Sequence, residues 1–254
     1  MDAETVMRES EEWQRIMGLP GETTLEVFFD IKSPHAYLAV RPSLAVARDF
    51  RVNLDFQPFT LSYEAFGLTT KVDDDMRRRP PSPAADRKAR MYYAAAREYA
   101  AMQSLPFRSP HRLLDSELSH RAFLFAKQQK LEVPFLMFVY LEGWGSGWRD
   151  FELESEQDLR RALQAVGVSL DGFTDYVADG GEGERQLSQS MKRAEETGYS
   201  GVPHYVFSDT AVDREVGLFG REHLALIRGK YAKSGLSRND TVVAEFSHAW
   251  NGPL

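Results

Sequence analysis

The sequence contains no cysteine among its 254 residues. A chain without thiols cannot form disulfides, exchange disulfides through its own side chains, or bind a metal through thiolate ligands. Long apolar runs are also missing, because the longest, 133–141, is far shorter than the roughly 20 residues that a membrane-spanning helix needs. We therefore expect neither a redox enzyme that uses its own cysteines nor a membrane partner.

Basic residues are also fewer than acidic residues. The chain has 31 Lys and Arg against 38 Asp and Glu, which gives a formal net charge of −7. Proteins that bind nucleic acids usually present a basic face, so no nucleic-acid partner is expected. The six histidines are scattered without metal-ligand spacing, which predicts no metal site. The acidic N-terminus lacks the basic and apolar regions of a signal peptide, so the expected location is cytoplasmic.

What the sequence does contain is an ordinary globular composition, 43% hydrophobic and 27% charged. Strand patterns occur at 25–29 and 52–59, with a helical pattern between them, which predicts a parallel βαβ unit. From residue 61 to about 198 the patterns are helical. Short strands return at 205–207 and 211–218, before a last amphipathic helix at 221–230.

This order of elements predicts an α/β protein with a thioredoxin-like fold, βαβ…ββα, and a large all-helical insertion. The predicted division comprises four parts. They are a thioredoxin-like domain at 22–60 plus 199–234, a helical insertion domain at 61–198, and terminal extensions at 1–21 and 235–254.

The most informative segment is 25–39, LEVFFDIKSPHAYLA. An apolar strand ends at Asp30, and Ser33 and Pro34 then suit the N-cap and first turn of a helix. We expect that helix to continue to about Asp49. Ser33 has two interpretations: it caps the helix and does nothing more, or its hydroxyl and the helix N-terminus together bind an anion such as a thiolate.

Residues 28–39 resemble the opening motif of the 2-hydroxychromene-2-carboxylate isomerase family, which is related to kappa-class glutathione transferases and to DsbA-like thioredoxin-superfamily proteins. Further matches follow in the expected order along the chain. They are the Pro80-Pro81 pair before a long helix, the Gly-Trp-Gly-Ser-Gly turn at 143–147, Ser-Gly-Val-Pro at 200–203, and Leu-Phe-Gly-Arg-Glu-His-Leu at 218–224.

The resemblance implies glutathione as the cofactor. Ser33 would be the catalytic residue, because its hydroxyl would donate a hydrogen bond to the glutathione sulfur. Val202 and Pro203, joined by a cis peptide bond, would offer backbone groups to the glutathione backbone. Arg221 and Glu222 would complete the cofactor site, with Glu222 in place of the family's aspartate at the γ-glutamyl amine.

Substrate-binding roles are assigned to His35, Tyr37 and Trp144. His35 stands where the family has Phe or Tyr, one turn from the serine, and could orient a substrate or protonate a leaving group. Trp144 lies in the glycine-rich turn that would line the acceptor pocket. An exposed helix residue is an equally good interpretation of His35, and aromatic residues are more often packing residues.

The expected function is a glutathione-dependent isomerase acting on an aromatic or unsaturated carboxylate, a small-molecule substrate, through thiolate addition and elimination. Two alternatives remain open. The first is a kappa-like glutathione transferase, which would release the adduct. The second is a cysteine-free DsbA-like protein with a binding role alone. A homodimer is possible in each case.

Overall fold

The computed structural model describes residues 3–64 and 82–242, with side chains described from residue 9 onward. The Pro80-Pro81 match and the end of the predicted C-terminal extension lie outside these residues. Ten α-helices and four strands are found within them. The helices are α1 Ala3–Met17, α2 Pro34–Tyr37, α3 Val40–Asp49, α4 Pro83–Met102, α5 Glu117–Gln128, α6 Glu132–Ser146, α7 Glu156–Ala165, α8 Phe173–Val177, α9 Glu182–Glu196 and α10 Leu224–Lys233.

The four strands form one mixed sheet. β1 (Thr23–Phe29) and β2 (Val52–Pro58) run parallel, as the predicted βαβ unit requires. β3 (His204–Asp209) and β4 (Arg214–Phe219) follow the insertion and pair antiparallel. The order across the sheet is β2-β1-β3-β4, so β1 lies in the interior of the sheet.

The central pairing joins two segments that lie on opposite sides of the insertion. Leu25 pairs with Phe207 and Phe28 pairs with His204, in an antiparallel register. This confirms the predicted neighbourhood of the first strand and the strand at 205–207. Apolar side chains from both strands are buried, which explains why β1 reads as an almost continuous apolar run.

The helix predicted from Ser33 to Asp49 is interrupted, and that part of the prediction was wrong. The chain forms the four-residue α2, breaks at Leu38 and Ala39, and resumes as α3. Pro42 is the physical reason, because its nitrogen carries no hydrogen for the Leu38 carbonyl and its ring crowds that carbonyl. The free carbonyl accepts a hydrogen bond from the buried side-chain amide of Gln103, at 3.1 Å.

The helices from α4 to α9 form the predicted insertion between β2 and β3. They are not separate from the sheet, since α5 and α9 both contact β2. α1 packs against α3 and α6, with Trp13 and Ile16 buried. The hydrophobic core therefore continues from the sheet into the insertion, and the division into domains stays a prediction.

Candidate functional site

Three segments meet at one end of the sheet. β1 ends at Phe29 and leads into the loop that carries Ser33, while β3 begins at His204, which pairs with Phe28. The preceding Pro203 is joined to the end of β4, because the Gly220 N–H donates to its carbonyl oxygen at 2.9 Å. The register thus places the Ser33 loop, the 202–203 bond and the turn after β4 at the same end of the strands, and this end of the sheet is the edge at which the candidate site lies.

The peptide bond between Val202 and Pro203 is cis, as the sequence predicts. Val202 has a buried side chain, at 6% exposure. Among the described residues, neither its N–H nor its C=O takes part in a backbone hydrogen bond. Backbone groups seldom remain without partners, so this residue has one donor and one acceptor available to a ligand.

Ser33 caps α2 in the structure. Its Oγ accepts a hydrogen bond from the Ala36 N–H at 3.3 Å, and the residue is 7% exposed. The capping role is therefore observed, and contact with a thiol stays a prediction. Because α2 has only four residues, its dipole is much smaller than that of the long helix that the sequence suggested.

Asp30 is the functional candidate that sequence reasoning missed. Its carboxylate is completely buried three residues before Ser33. Four donor groups surround it, two from the neighbouring Lys32 and two from distant parts of the chain. The donors are the Ser116 hydroxyl at 2.7 Å, the Leu61 N–H at 2.7 Å, the Lys32 N–H at 3.0 Å and the Lys32 ammonium at 3.4 Å.

His120 completes this buried network. Its Nε2 lies 3.3 Å from Asp30 Oδ1 and 3.2 Å from the Ile31 nitrogen, while its Nδ1 lies 2.9 Å from the Thr60 hydroxyl. Burial by itself raises the pKa of Asp30. The charges of Lys32 and His120 and the hydrogen bonds from His120 and Ser116 more than offset this and hold that pKa well below its usual range. In its ionised form, the Asp30 carboxylate therefore holds the loop before Ser33 in place.

Arg221 and Glu222 follow β4 in a short 3₁₀ turn. Arg221 is 5% exposed, and its guanidinium carbon lies 4.3 Å from the centre of the Tyr99 ring. Burial lowers the pKa of Arg221, with partial compensation from nearby Tyr205, Tyr99 and Glu222. Glu222 is exposed.

Gly220 permits this arrangement through both its conformation and its size. Its φ of +111° belongs to backbone that side-chain-bearing residues rarely adopt. A Cβ at this position would also lie 2.5 Å from a carboxylate oxygen of Glu222. The absence of a side chain therefore lets the Glu222 carboxylate fold back toward the 203–220 hydrogen bond.

His35 lies between the Ser33 loop and α4. Its ring packs edge-on against Tyr92, with ring centres 5.7 Å apart, and its buried Nε2 has no hydrogen-bond partner among the described residues. Burial lowers the pKa of His35, the charge of Arg221 lowers it further, and Glu222 opposes the shift. His35, Arg221 and Glu222 therefore act on one another electrostatically.

Tyr37 and Trp144 lie in the core. Tyr37 is 1% exposed and Trp144 is 0% exposed, and their rings stack with centres 6.4 Å apart. Tyr140 and Phe107 extend this aromatic cluster at 5.1 Å from Tyr37 and Trp144, respectively. Their contribution in this structure is to packing behind α2, and the predicted contact with a substrate stays a prediction.

Neither a membrane-spanning helix nor a metal-binding group is found in the described segments. No helix there combines the length and apolar character that crossing a membrane requires. Likewise, no three His, Asp or Glu side chains come together there as ligands for an ion.

The central parallel strand pair, the antiparallel β3–β4 pair and the cis-proline at the sheet edge define a thioredoxin-like fold with a helical insertion. The sequence matches the DSBA-like thioredoxin domain family over residues 24–232, and the chain belongs to that family. A comparison with curated protein sequences finds no significant match.

Several solved structures share this fold. A 2-hydroxychromene-2-carboxylate isomerase has a TM-score of 0.63 and 14% identity, covering 84% of this chain and 96% of its own. A probable DsbA oxidoreductase from Streptomyces coelicolor has a TM-score of 0.62 and 16% identity, covering 87% and 94%. The cytosolic disulfide reductase DsbM from Pseudomonas aeruginosa, solved with GSH, has a TM-score of 0.54 and 18% identity, covering 84% and 97%. These likenesses concern the fold.

Proposed function

We propose that the chain binds glutathione at the edge formed by Ser33, Val202 and the turn after β4. The observation that carries this proposal is the free backbone N–H and C=O of Val202, beside the Ser33 loop, in a chain without cysteine. Disulfide exchange by this chain is impossible without its own thiols, so any thiol chemistry at the site has to use a thiol that the ligand supplies.

Glutathione fits the groups present at this edge. Its backbone would pair with Val202, its γ-glutamyl ammonium would meet the exposed Glu222 carboxylate, and its sulfur would lie at the Ser33 hydroxyl. The Ser33 hydroxyl donates to a thiolate while its lone pair still caps α2, so both roles are compatible. The solved structure of DsbM with GSH supports the choice of ligand on a similar fold.

The reaction that we propose is glutathione-dependent isomerisation of an aromatic or unsaturated carboxylate. The thiolate would add to an electrophilic carbon of a conjugated double bond, the resulting single bond would rotate, and elimination would restore the double bond and release the thiolate. Glutathione is regenerated, so no net conjugation occurs. The similarity of fold to 2-hydroxychromene-2-carboxylate isomerase supports this choice.

Binding is tested first, by isothermal titration of glutathione into the wild-type chain and into Glu222→Gln. We expect saturable binding to the wild type and weaker binding to the variant, because the variant loses the charge that faces the ammonium. The control variant is Glu142→Gln. It removes a carboxylate charge on α6, where Glu142 pairs with Arg161, away from the proposed glutathione contacts. No heat of binding with the wild type would contradict the proposal.

Turnover distinguishes the possible activities. An aryl-substituted unsaturated 2-oxo acid would be incubated with the protein, with and without glutathione, and both thiol and substrate would be followed. Isomerisation without thiol consumption supports the isomerase. Stoichiometric loss of thiol would instead indicate a transferase, and binding without either reaction would indicate a binding protein.

A further inference from the structure

Arg221 differs from the other buried arginines of the described segments. The three others have exposed fractions of 5–6%, close to the 5% of Arg221, and each of them makes an ion pair with a carboxylate. The pairs are Arg41 with Glu9 at 2.8 Å, Arg121 with Glu117 at 2.6 Å, and Arg228 with Asp49 at 2.7 Å.

Arg221 has no such partner within residues 9–64 and 82–242. Its buried Nη1 donates no hydrogen bond there, and the adjacent Glu222 does not come within ion-pair distance. The face of the Tyr99 ring stabilises a cation but does not accept the directed hydrogen bonds of the guanidinium. A buried cation without an anion is unfavourable, and proteins that retain one usually supply the anion from elsewhere.

The surroundings of Arg221 indicate what that anion would be. The buried Nε2 of His35 also lacks a partner, and the His35 ring packs against Tyr92 of α4, the helix that also supplies Tyr99 to Arg221. The charge of Arg221 lowers the pKa of His35, which agrees with this placement. A guanidinium has planar, paired donors that match the two oxygens of a carboxylate, and a neutral imidazole with hydrogen on Nε2 adds a third donor.

We propose that Arg221 and His35 form a binding site for the carboxylate group of a ligand. The site adjoins the Gly220–Pro203 edge, so its place beside the thiol rests on the proposed function. Arg221 would bind the two oxygens as a fork, with Tyr99 supporting the guanidinium plane from one side. The carboxylate belongs either to glutathione or to the second substrate.

Ligand binding tests the site and separates the two sources. Dissociation constants would be measured by titration for the wild type, Arg221→Gln and His35→Phe, with glutathione, its glycyl ethyl ester, benzoate and benzamide. We expect Arg221→Gln to weaken at least one carboxylate ligand by roughly tenfold to a hundredfold, as for loss of a hydrogen-bonded charge pair, and to leave benzamide unaffected.

The ligand that responds identifies the source. A loss confined to benzoate assigns the site to the second substrate. A loss with glutathione assigns it to the cofactor, and the ester then shows whether the glycyl carboxylate is the bound group. Benzoate remains informative even if glutathione does not bind, so failure of the proposed function is distinguishable. Equal affinities of wild type and Arg221→Gln for all four ligands would overturn the inference.

Stability provides the second test. Arg221→Met removes an unpaired buried charge, so in ligand-free protein its unfolding temperature should equal or exceed that of the wild type. Arg228→Met is the matched control, because it breaks the buried ion pair with Asp49 and leaves that carboxylate with the less buried Arg48, so it should lower the unfolding temperature. A comparable loss in Arg221→Met would mean that Arg221 pairs with a carboxylate of this chain, and it would exclude a site for a ligand.

Discussion

The side-chain amide of Gln103, at the end of α4, donates a hydrogen bond to the main-chain carbonyl of Leu38 at 3.1 Å. Pro42 leaves this carbonyl without its helical donor, and Gln103 replaces the missing N–H from the other side of the core. The break between α2 and α3 is therefore stabilised by the insertion.

We expect Gln103→Leu to destabilise the fold by about 1–3 kcal/mol, because a buried carbonyl loses its only described donor. Denaturant unfolding measures the change. In a Pro42→Ala background, residue 42 regains an N–H for Leu38, so the cost of Gln103→Leu should become smaller. Equal costs in both backgrounds would contradict the explanation of the helix break.

The Ser33 variant separates capping from chemistry. Ser33→Ala should lose about 1 kcal/mol of stability through the cap. The pKa of bound glutathione thiol should also rise, and turnover at neutral pH should fall by roughly tenfold to a hundredfold, because a hydrogen bond to the thiolate is removed. Ultraviolet titration of the bound thiolate measures the pKa.

Ser155→Ala is the matched control, because Ser155 caps α7 through the Asp158 N–H at 3.2 Å. It should reduce stability by a similar amount and leave the thiol pKa unchanged. If Ser33→Ala behaves like Ser155→Ala in both measurements, Ser33 is a structural cap only.

Asp30→Asn should destabilise the protein by about 3–5 kcal/mol at pH 7, since Lys32 would keep a buried charge without its partner. The folded-state pKa of Asp30 is lowered. The ionised carboxylate therefore contributes stability above the unfolded pKa of about 3.9, and this contribution is lost as the pH falls toward the folded-state value. The difference between wild type and variant should shrink in acid.

Denaturant unfolding at pH 7 and below pH 4 checks this prediction. Asp86→Asn provides the control, because Asp86 pairs with Arg90 on an exposed face of α4. Its effect should stay below about 1 kcal/mol at both pH values. An Asp30→Asn loss that does not depend on pH would show that the carboxylate charge is not the stabilising feature.

Gly220→Ala should lower both stability and glutathione affinity. An alanine at this position must adopt an unfavourable positive φ. Its Cβ would also lie 2.5 Å from the Glu222 carboxylate and would displace it. We expect a stability loss of about 1–3 kcal/mol, and calorimetry follows the affinity. Gly172→Ala also places a side chain at positive φ, +78°, with no atom within 4 Å, so it measures a backbone penalty without a displaced neighbour. An unchanged affinity in Gly220→Ala would argue against Glu222 as a ligand contact.

The sequence predicted those features that local patterns encode. The four strands, their arrangement around an insertion and the cis bond at Pro203 are all confirmed. The break at Leu38 was missed although Pro42 was the available signal, because the apolar pattern continues through it. The prediction followed the helical spacing of the apolar residues and did not take account of the missing N–H of Pro42.

Other parts of the site could not be predicted from one sequence. Asp30 meets Ser116 and His120 across nearly ninety residues of chain, and nothing local to any of them indicates the meeting. Arg221 is informative because the described residues give it no carboxylate, and a missing partner is visible only in three dimensions. The burial of Trp144 is likewise visible only in the packing, and its predicted contact with a substrate stays a prediction.

The separation of β1 from β3 has a consequence during synthesis. At 5–20 residues per second, roughly 10–35 s pass between the emergence of Leu25 and that of its pairing partner Phe207. Throughout that interval β1 has at most β2 beside it, and its other edge remains open to association with another chain. We expect the growing helical insertion or a chaperone to cover this open edge until the C-terminal hairpin arrives.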